Sequence, residues 1–170
     1  MSISMHSASV PVFVRNLNNV LAWLDKAQAH AEAKKFDTAN YLTMRLAPDM
    51  LPFAKQIQIA SDGAKGCVAR LAGVEIPKWD DTEVTLDDLR ARIRKTIDYV
   101  QSVPAAQIDG SEGRDITITL RSGDVKFDGQ RYLEHWALPN FYFHVMTTYN
   151  LLRHAGVDLG KPDYLKGAAV

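Results

Sequence analysis

From Met50 to Leu71, apolar side chains return in steps of three and four residues: Met50, Phe53, Ile57, Ala60, Ala64, Cys67 and Leu71. That spacing draws one apolar line along an α-helix, and the line must meet other helices to leave water. The pattern commits the chain to a helical bundle before any other segment is considered. Asp49 is placed to charge or cap the helix start, Pro52 suits the first turn, and Gly73 offers a left-handed C-terminal cap. Ala60, Gly63, Ala64 and Gly66 let another element approach closely. A glycine inside a helix costs about 1 kcal/mol against alanine, so Gly63 and Gly66 are expected at a tight contact or a pocket wall.

Three further helices complete the bundle. The first spans about Ser9 to Ala33, with Phe13, Leu17, Val20, Leu21, Leu24 and Ala27 on one stripe and Pro11 in its opening turn. A short helical turn around Thr38 to Met44 follows it. Val74 to Val84 reads as a loop crossing the bundle. Thr85 and Asp88 form a capping-box pattern before a helix with Leu86, Leu89, Ile93, Ile97 and Val100 inward. Arg90, Arg92, Arg94 and Lys95 are expected on its solvated face, and Pro104 ends it. Ile116, Ile118 and Leu120 alternate with Thr117 and Thr119 ahead of a turn at 121–124, so a β-hairpin precedes the last helix. An isolated hairpin is marginal in water and must pack on the bundle or on another chain.

The last helix covers about Gly129 to Ala155, bent or restarted at Pro139 and stopped at Gly156. From Leu138 to Leu152 it is apolar or aromatic on nearly every side. Such a helix must be covered all round, by the hairpin, by the tail from Val157 to Leu165, or by a second subunit. Partial burial in a homodimer is the expectation.

The 170 residues fit one domain, 1–170, and no linker divides them. Twenty basic residues balance twenty acidic ones, so the basic excess of a nucleic-acid binder is missing. No apolar run reaches the roughly 20 residues of a membrane helix, and Arg15 interrupts the one candidate leader segment, Ala8 to Val14. A cytoplasmic protein is expected, with no nucleic-acid or membrane partner. Cys67 is the sole cysteine, which rules out an intramolecular disulfide or a multi-thiolate zinc site. Its place on the apolar stripe suits a small core residue.

Motifs of known chemistry are missing: no glycine-rich phosphate loop, no nucleophile elbow, no His-Glu-x-x-His. Of five histidines, His144 stands out in the middle of the most apolar helix. Asn140, His144 and Thr147 share a stripe there, and buried polar groups without partners cost roughly 1–3 kcal/mol each. Gln56, Gln58 or Asp62 on the second helix are available to meet them. Polar groups converging between helices describe a ligand pocket, and equally a structural hydrogen-bond network.

Leu151-Leu152-Arg153-His154-Ala155-Gly156-Val157, followed by Lys161-Pro162-Asp163-Tyr164, resembles the end of the last helix in the DinB/YfiT-like helical-bundle superfamily. Arg70-Leu71-Ala72-Gly73 is similar to another of its features. Leu138-Pro139-Asn140-Phe141-Tyr142-Phe143-His144 and Ala47-Pro48-Asp49-Met50 resemble an uncharacterised bacterial family within it. The resemblance covers nearly the whole chain. It implies a mainly α four-helix bundle with long crossover connections, often dimeric. Many members bind a divalent metal through one histidine on the second helix and a His-x-x-x-His pair on the last.

Counted from Gly156, the second histidine of that pair falls on His144 and the first on Asn140. The second-helix position falls near Gln58 and Ile59, and no histidine lies between Phe36 and His135. A His, Asn and Gln set is a poor first shell for zinc or nickel. The leading reading is therefore a small-molecule-binding protein or metal-free enzyme with a degenerate metal site and no cofactor, its pocket lined by Gln58, Asp62, Asn140 and His144. One alternative is a divalent-metal-dependent transferase or hydrolase that recruits a changed ligand set including Asp62. Another is a homodimeric structural or interaction module in which His144 only packs.

Overall fold

The computed structural model describes residues 3–167. Four long helices carry it: α1 (Val10–Lys34), α3 (Phe53–Ala72), α4 (Leu86–Ser102) and α7 (Leu138–His154). Short helices α2 (Ala39–Leu42), α5 (Ala105–Ile108), α6 (Gly129–Tyr132) and α8 (Lys161–Leu165) lie between and after them, and strands β1 (Ile116–Leu120) and β2 (Gly123–Phe127) form the hairpin. Helix α3 packs on α4 and α7, and α1 packs on the same two, so α1 faces α3 across a diagonal. The chain reaches each diagonal partner through a long connection, 35–52 from α1 to α3 and 103–137 from α4 to α7.

The capping chemistry sets the helix ends. Thr85 Oγ1 accepts from Asp88 N at 3.1 Å while Asp88 Oδ2 accepts from Thr85 N at 2.9 Å, the reciprocal box expected at the start of α4. Gly73 closes α3 at φ 70°, and there a side chain would be strained. Helix α3 starts at Phe53 rather than Met50, with extended Pro52 as its N-cap. Phe53 N donates to Met44 O at 2.8 Å, so the preceding stretch folds back instead of adding a helical turn. Asp49 stays exposed outside the helix.

The hairpin pairs Ile116 with Phe127 and Leu120 with Gly123, leaving Arg121 and Ser122 as its turn. Gly123 and Asp124 therefore belong to the strand rather than to the turn. Ile116 and Ile118 are buried in the common core, and Phe127 packs on Tyr132 and Trp136. The bundle itself supplies the hairpin's cover. Gly129, just after it, has no room for a side chain: an added Cβ would stand 1.9 Å from the Ser111 carbonyl oxygen.

The bend expected at Pro139 is a π-helical segment at Leu133–Ala137, with Pro139 in the first turn of α7. Proline cannot donate to the carbonyl four residues back and its ring crowds it; a wider turn relieves both. Beyond it, Phe141, Val145, Leu151 and Leu152 are buried. The tail covers another side of α7. Tyr149 meets Trp23 edge-on, Tyr164 from α8 stacks on Trp23 at 5.9 Å between centroids, and Val157 and Leu159 are buried. Phe143 and Met146 keep 55% and 39% of their surface exposed.

One expectation about α4 is corrected. Arg94 and Lys95 are solvated, but Arg90 and Arg92 are buried. Arg90 donates to Asp25, Asp87 and the Leu24 carbonyl, tying α4 to α1. Long guanidinium side chains reach across an interface that their Cα positions only border.

Candidate functional site

Among the described residues, one side-chain hydrogen bond joins α3 to α7, and it involves His144. His144 is 7% exposed, and its Nδ1 lies 2.7 Å from Gln56 Oε1. Gln56 Nε2 donates to the Leu51 carbonyl at 2.8 Å, which turns the amide oxygen towards the imidazole. An acceptor at Nδ1 places the ring proton on Nδ1 and leaves Nε2 as a lone-pair acceptor. Nε2 has no hydrogen-bond partner among the described residues. Burial pushes the His144 pKa below its ordinary value by disfavouring the charged ring. The local chemistry is a neutral imidazole, fixed in one tautomer, presenting a basic nitrogen.

The other polar groups of this stripe are settled differently. Thr147 and Thr148 donate to the carbonyls of Phe143 and His144 within their own helix. Asn140 is half-buried beside Gly63, its Nδ2 3.8 Å from where a Gly63 Cβ would stand. Gly63 thus marks the α3–α7 contact. Gly66 instead leaves space filled by Arg70 of its own helix, whose Nη1 would be 2.7 Å from an added Cβ.

Gln58 and Asp62 lie elsewhere. Gln58 Nε2 donates to Glu83 Oε2 at 2.7 Å, and Asp62 accepts from Arg92 at 3.0 Å and from Lys65 at 2.8 Å. Two residues along a helix turn the side chain by about 200°, so Gln56 and Gln58 leave α3 in nearly opposite directions. Of the four residues proposed from sequence, the structure brings Asn140 and His144 to one interface and sends Gln58 and Asp62 to another. Gln56 was available from the sequence as a partner for His144, but spacing alone did not favour it over Gln58.

Arg92 is the centre of that second interface. Its side chain is 2% exposed and meets Glu83 at 2.9 Å, Asp81 at 3.0 Å and Asp62 at 3.0 Å. Burial works against its charge, but the hydrogen bond to Glu83 and the charges of Asp62, Glu83 and Asp81 outweigh it, and the Arg92 pKa rises. Lys55 adds a 2.8 Å bridge to Asp81, and Trp79 lies under the ammonium groups of Lys65 and Lys95 at 4.2 and 4.6 Å. Desolvation of Asp81 is outweighed by its bonds to Lys55 and Arg92, so its pKa falls. The result clamps the 73–85 connection onto α3 and α4.

These groups do not suit a metal. The His144 imidazole meets the amide of Gln56, Asn140 lies one turn earlier on α7, and one of the ring nitrogens is already bonded. Structural and catalytic zinc keep three or four strong ligands. Among the described residues, no group of three or more His, Cys, Asp or Glu side chains is placed to hold a metal ion. Cys67 is fully buried, and burial raises its thiol pKa, so it is an inert core residue.

A family described as "Domain of unknown function (DUF1993)" matches residues 5–165. The chain belongs to this family. Its fold is shared by a crystal structure of a DinB family member protein from Shewanella denitrificans, at 39% identity and a TM-score of 0.89, over 97% of this chain and 93% of that one. This DUF1993 chain is thus a member of the DinB-like superfamily, as its last-helix motifs indicated. No curated protein matches it. Among the described residues, no helix is long and apolar enough to cross a membrane.

Proposed function

We propose that the protein binds a small molecule, or acts on one without a metal, at the position where relatives of this superfamily place their metal. The observation that carries the reading is the Gln56–His144 pair at 2.7 Å, with Gln56 itself locked by the Leu51 carbonyl. It offers Nε2 as a hydrogen-bond acceptor or general base towards a ligand O–H or N–H. Asn140 is near enough on the same helix face to supply a second polar contact. A neutral imidazole already in one tautomer needs no rearrangement to accept a proton, whereas a metal would have to be held by weak amide donors.

The test is a screen of small polar metabolites by thermal shift on untagged protein, with bound metal measured on the same sample. The expected result is substoichiometric metal, and stabilisation by at least one ligand that disappears in His144→Ala and weakens in Gln56→Ala. Stoichiometric metal lost with His144 would overturn the reading in favour of a metal-dependent enzyme.

A second reading concerns assembly. Phe143 and Met146 leave an apolar strip of α7 in water beside His144, which favours a homodimer through this face. Sedimentation over a range of concentrations tests it, and a Met146→Lys variant should shift the equilibrium to monomer.

A further inference from the structure

A groove of about 860 Å³ runs beside α1, on the side where the end of α4 and the residues after α8 approach it. Its walls include Val10, Val14 and Ala22, while Arg15 and Lys166 bring positive charge and buried Asn19 adds an amide. Among the described residues, no acidic side chain lines it. In the same chain the buried side chains of Arg90 and Arg92 are each matched with carboxylates. Arg15 differs from them. It is half-buried and takes part in none of the ion pairs among the described residues, while its Nε, like that of Arg92, is buried without a hydrogen-bond partner. A guanidinium with no carboxylate partner is free to take an anionic acceptor. Gly167 stands against its stem, with the Cβ position 3.5 Å from Arg15 Cγ.

We propose that this groove binds a small amphipathic anion, with a carboxylate at Arg15 and an apolar tail along Val10, Val14 and Ala22. The size falls within the range of small-molecule sites, and the lining has their usual makeup of mostly apolar walls with few polar anchors. The positive charge selects an anion, and the apolar walls reject one that has no tail. The site is separate from His144 and does not depend on how that residue is used.

Decanoate is the probe, with decanol as its uncharged counterpart, added to the full ¹⁵N-labelled chain and followed through the arginine Nε–H resonances. Decanoate is expected to move the Arg15 resonance saturably, and decanol to bind at least about tenfold more weakly. By calorimetry, Arg15→Ala should lose about tenfold in decanoate affinity and Arg15→Lys less, with both variants keeping the far-ultraviolet dichroism of the parent. Equal binding of decanol and decanoate would overturn the proposal, as would an Arg15 resonance that never moves. So would an oligomer that dissociates as decanoate binds, because the groove would then belong to a second copy of the chain.

Discussion

His144 keeps a neutral ring in a place where charge is disfavoured, and that has a sign. Its folded pKa lies below the unfolded value near 6.5 because of burial. As pH falls, the unfolded chain therefore takes up the proton first, and stability present above pH 6.5 is lost as pH drops through the folded value. Chemical denaturation at about pH 7 and about pH 5 should show a loss of stability, and His144→Gln, which cannot titrate, should lose less over the same interval. An equal loss in both proteins would mean that other groups carry the acid sensitivity. Gly63 gives an independent check on the α3–α7 contact. The space for a methyl group is there at ordinary contact distance from Asn140. Gly63→Ala should raise stability by about 0.5–1 kcal/mol through helix propensity alone. A destabilised variant would show that α7 approaches more closely than this geometry allows.

At the scale of elements, the 73–85 connection is held by charge rather than by an apolar face. Arg92→Met would leave Asp62, Asp81 and Glu83 without their shared partner. Two of these carboxylates are more than a third exposed and partly screened, so the cost is expected near about 2 kcal/mol rather than the larger values of fully buried pairs. Hydrogen exchange should rise across 74–84 in that variant and stay unchanged in α1. Gly129→Ala should be worse, at about 3 kcal/mol or more, because its methyl group meets a backbone carbonyl that cannot rotate away; urea denaturation measures it. The elements themselves were legible because seams, caps and the alternating strands are local signals. Helix faces were less so. Arg90 and Arg92 looked solvated because a polar side chain on a helix border reads the same whether or not carboxylates wait across the groove. Met50 fitted the α3 seam by spacing, but the chain folds back at Pro52 before reaching it.

For the whole molecule, the bundle puts α1 and α3 on one diagonal and α4 and α7 on the other, and a long connection joins each pair. Sequence motifs indicated the DinB-like fold because they lie at helix ends, where capping fixes residue types. They indicated the position of His144 for the same reason, counted from Gly156. They did not reveal the direction in which Gln56, Gln58 and Asp62 leave α3, since a two-residue offset decides between interfaces and no local signal records it. The tail was one of three candidate covers for α7, and only its packing on Trp23 and Tyr149 shows that it takes that role. The central proposal is a locked neutral imidazole at His144 that serves without a metal. The most direct test is the ¹⁵N spectrum of the His144 ring at neutral pH, before and after one equivalent of zinc. The account predicts a proton on Nδ1, a pyridine-like Nε2, loss of that tautomer preference in Gln56→Leu, and no change with zinc. A proton on Nε2, or a ring nitrogen shifted by stoichiometric zinc, would contradict it.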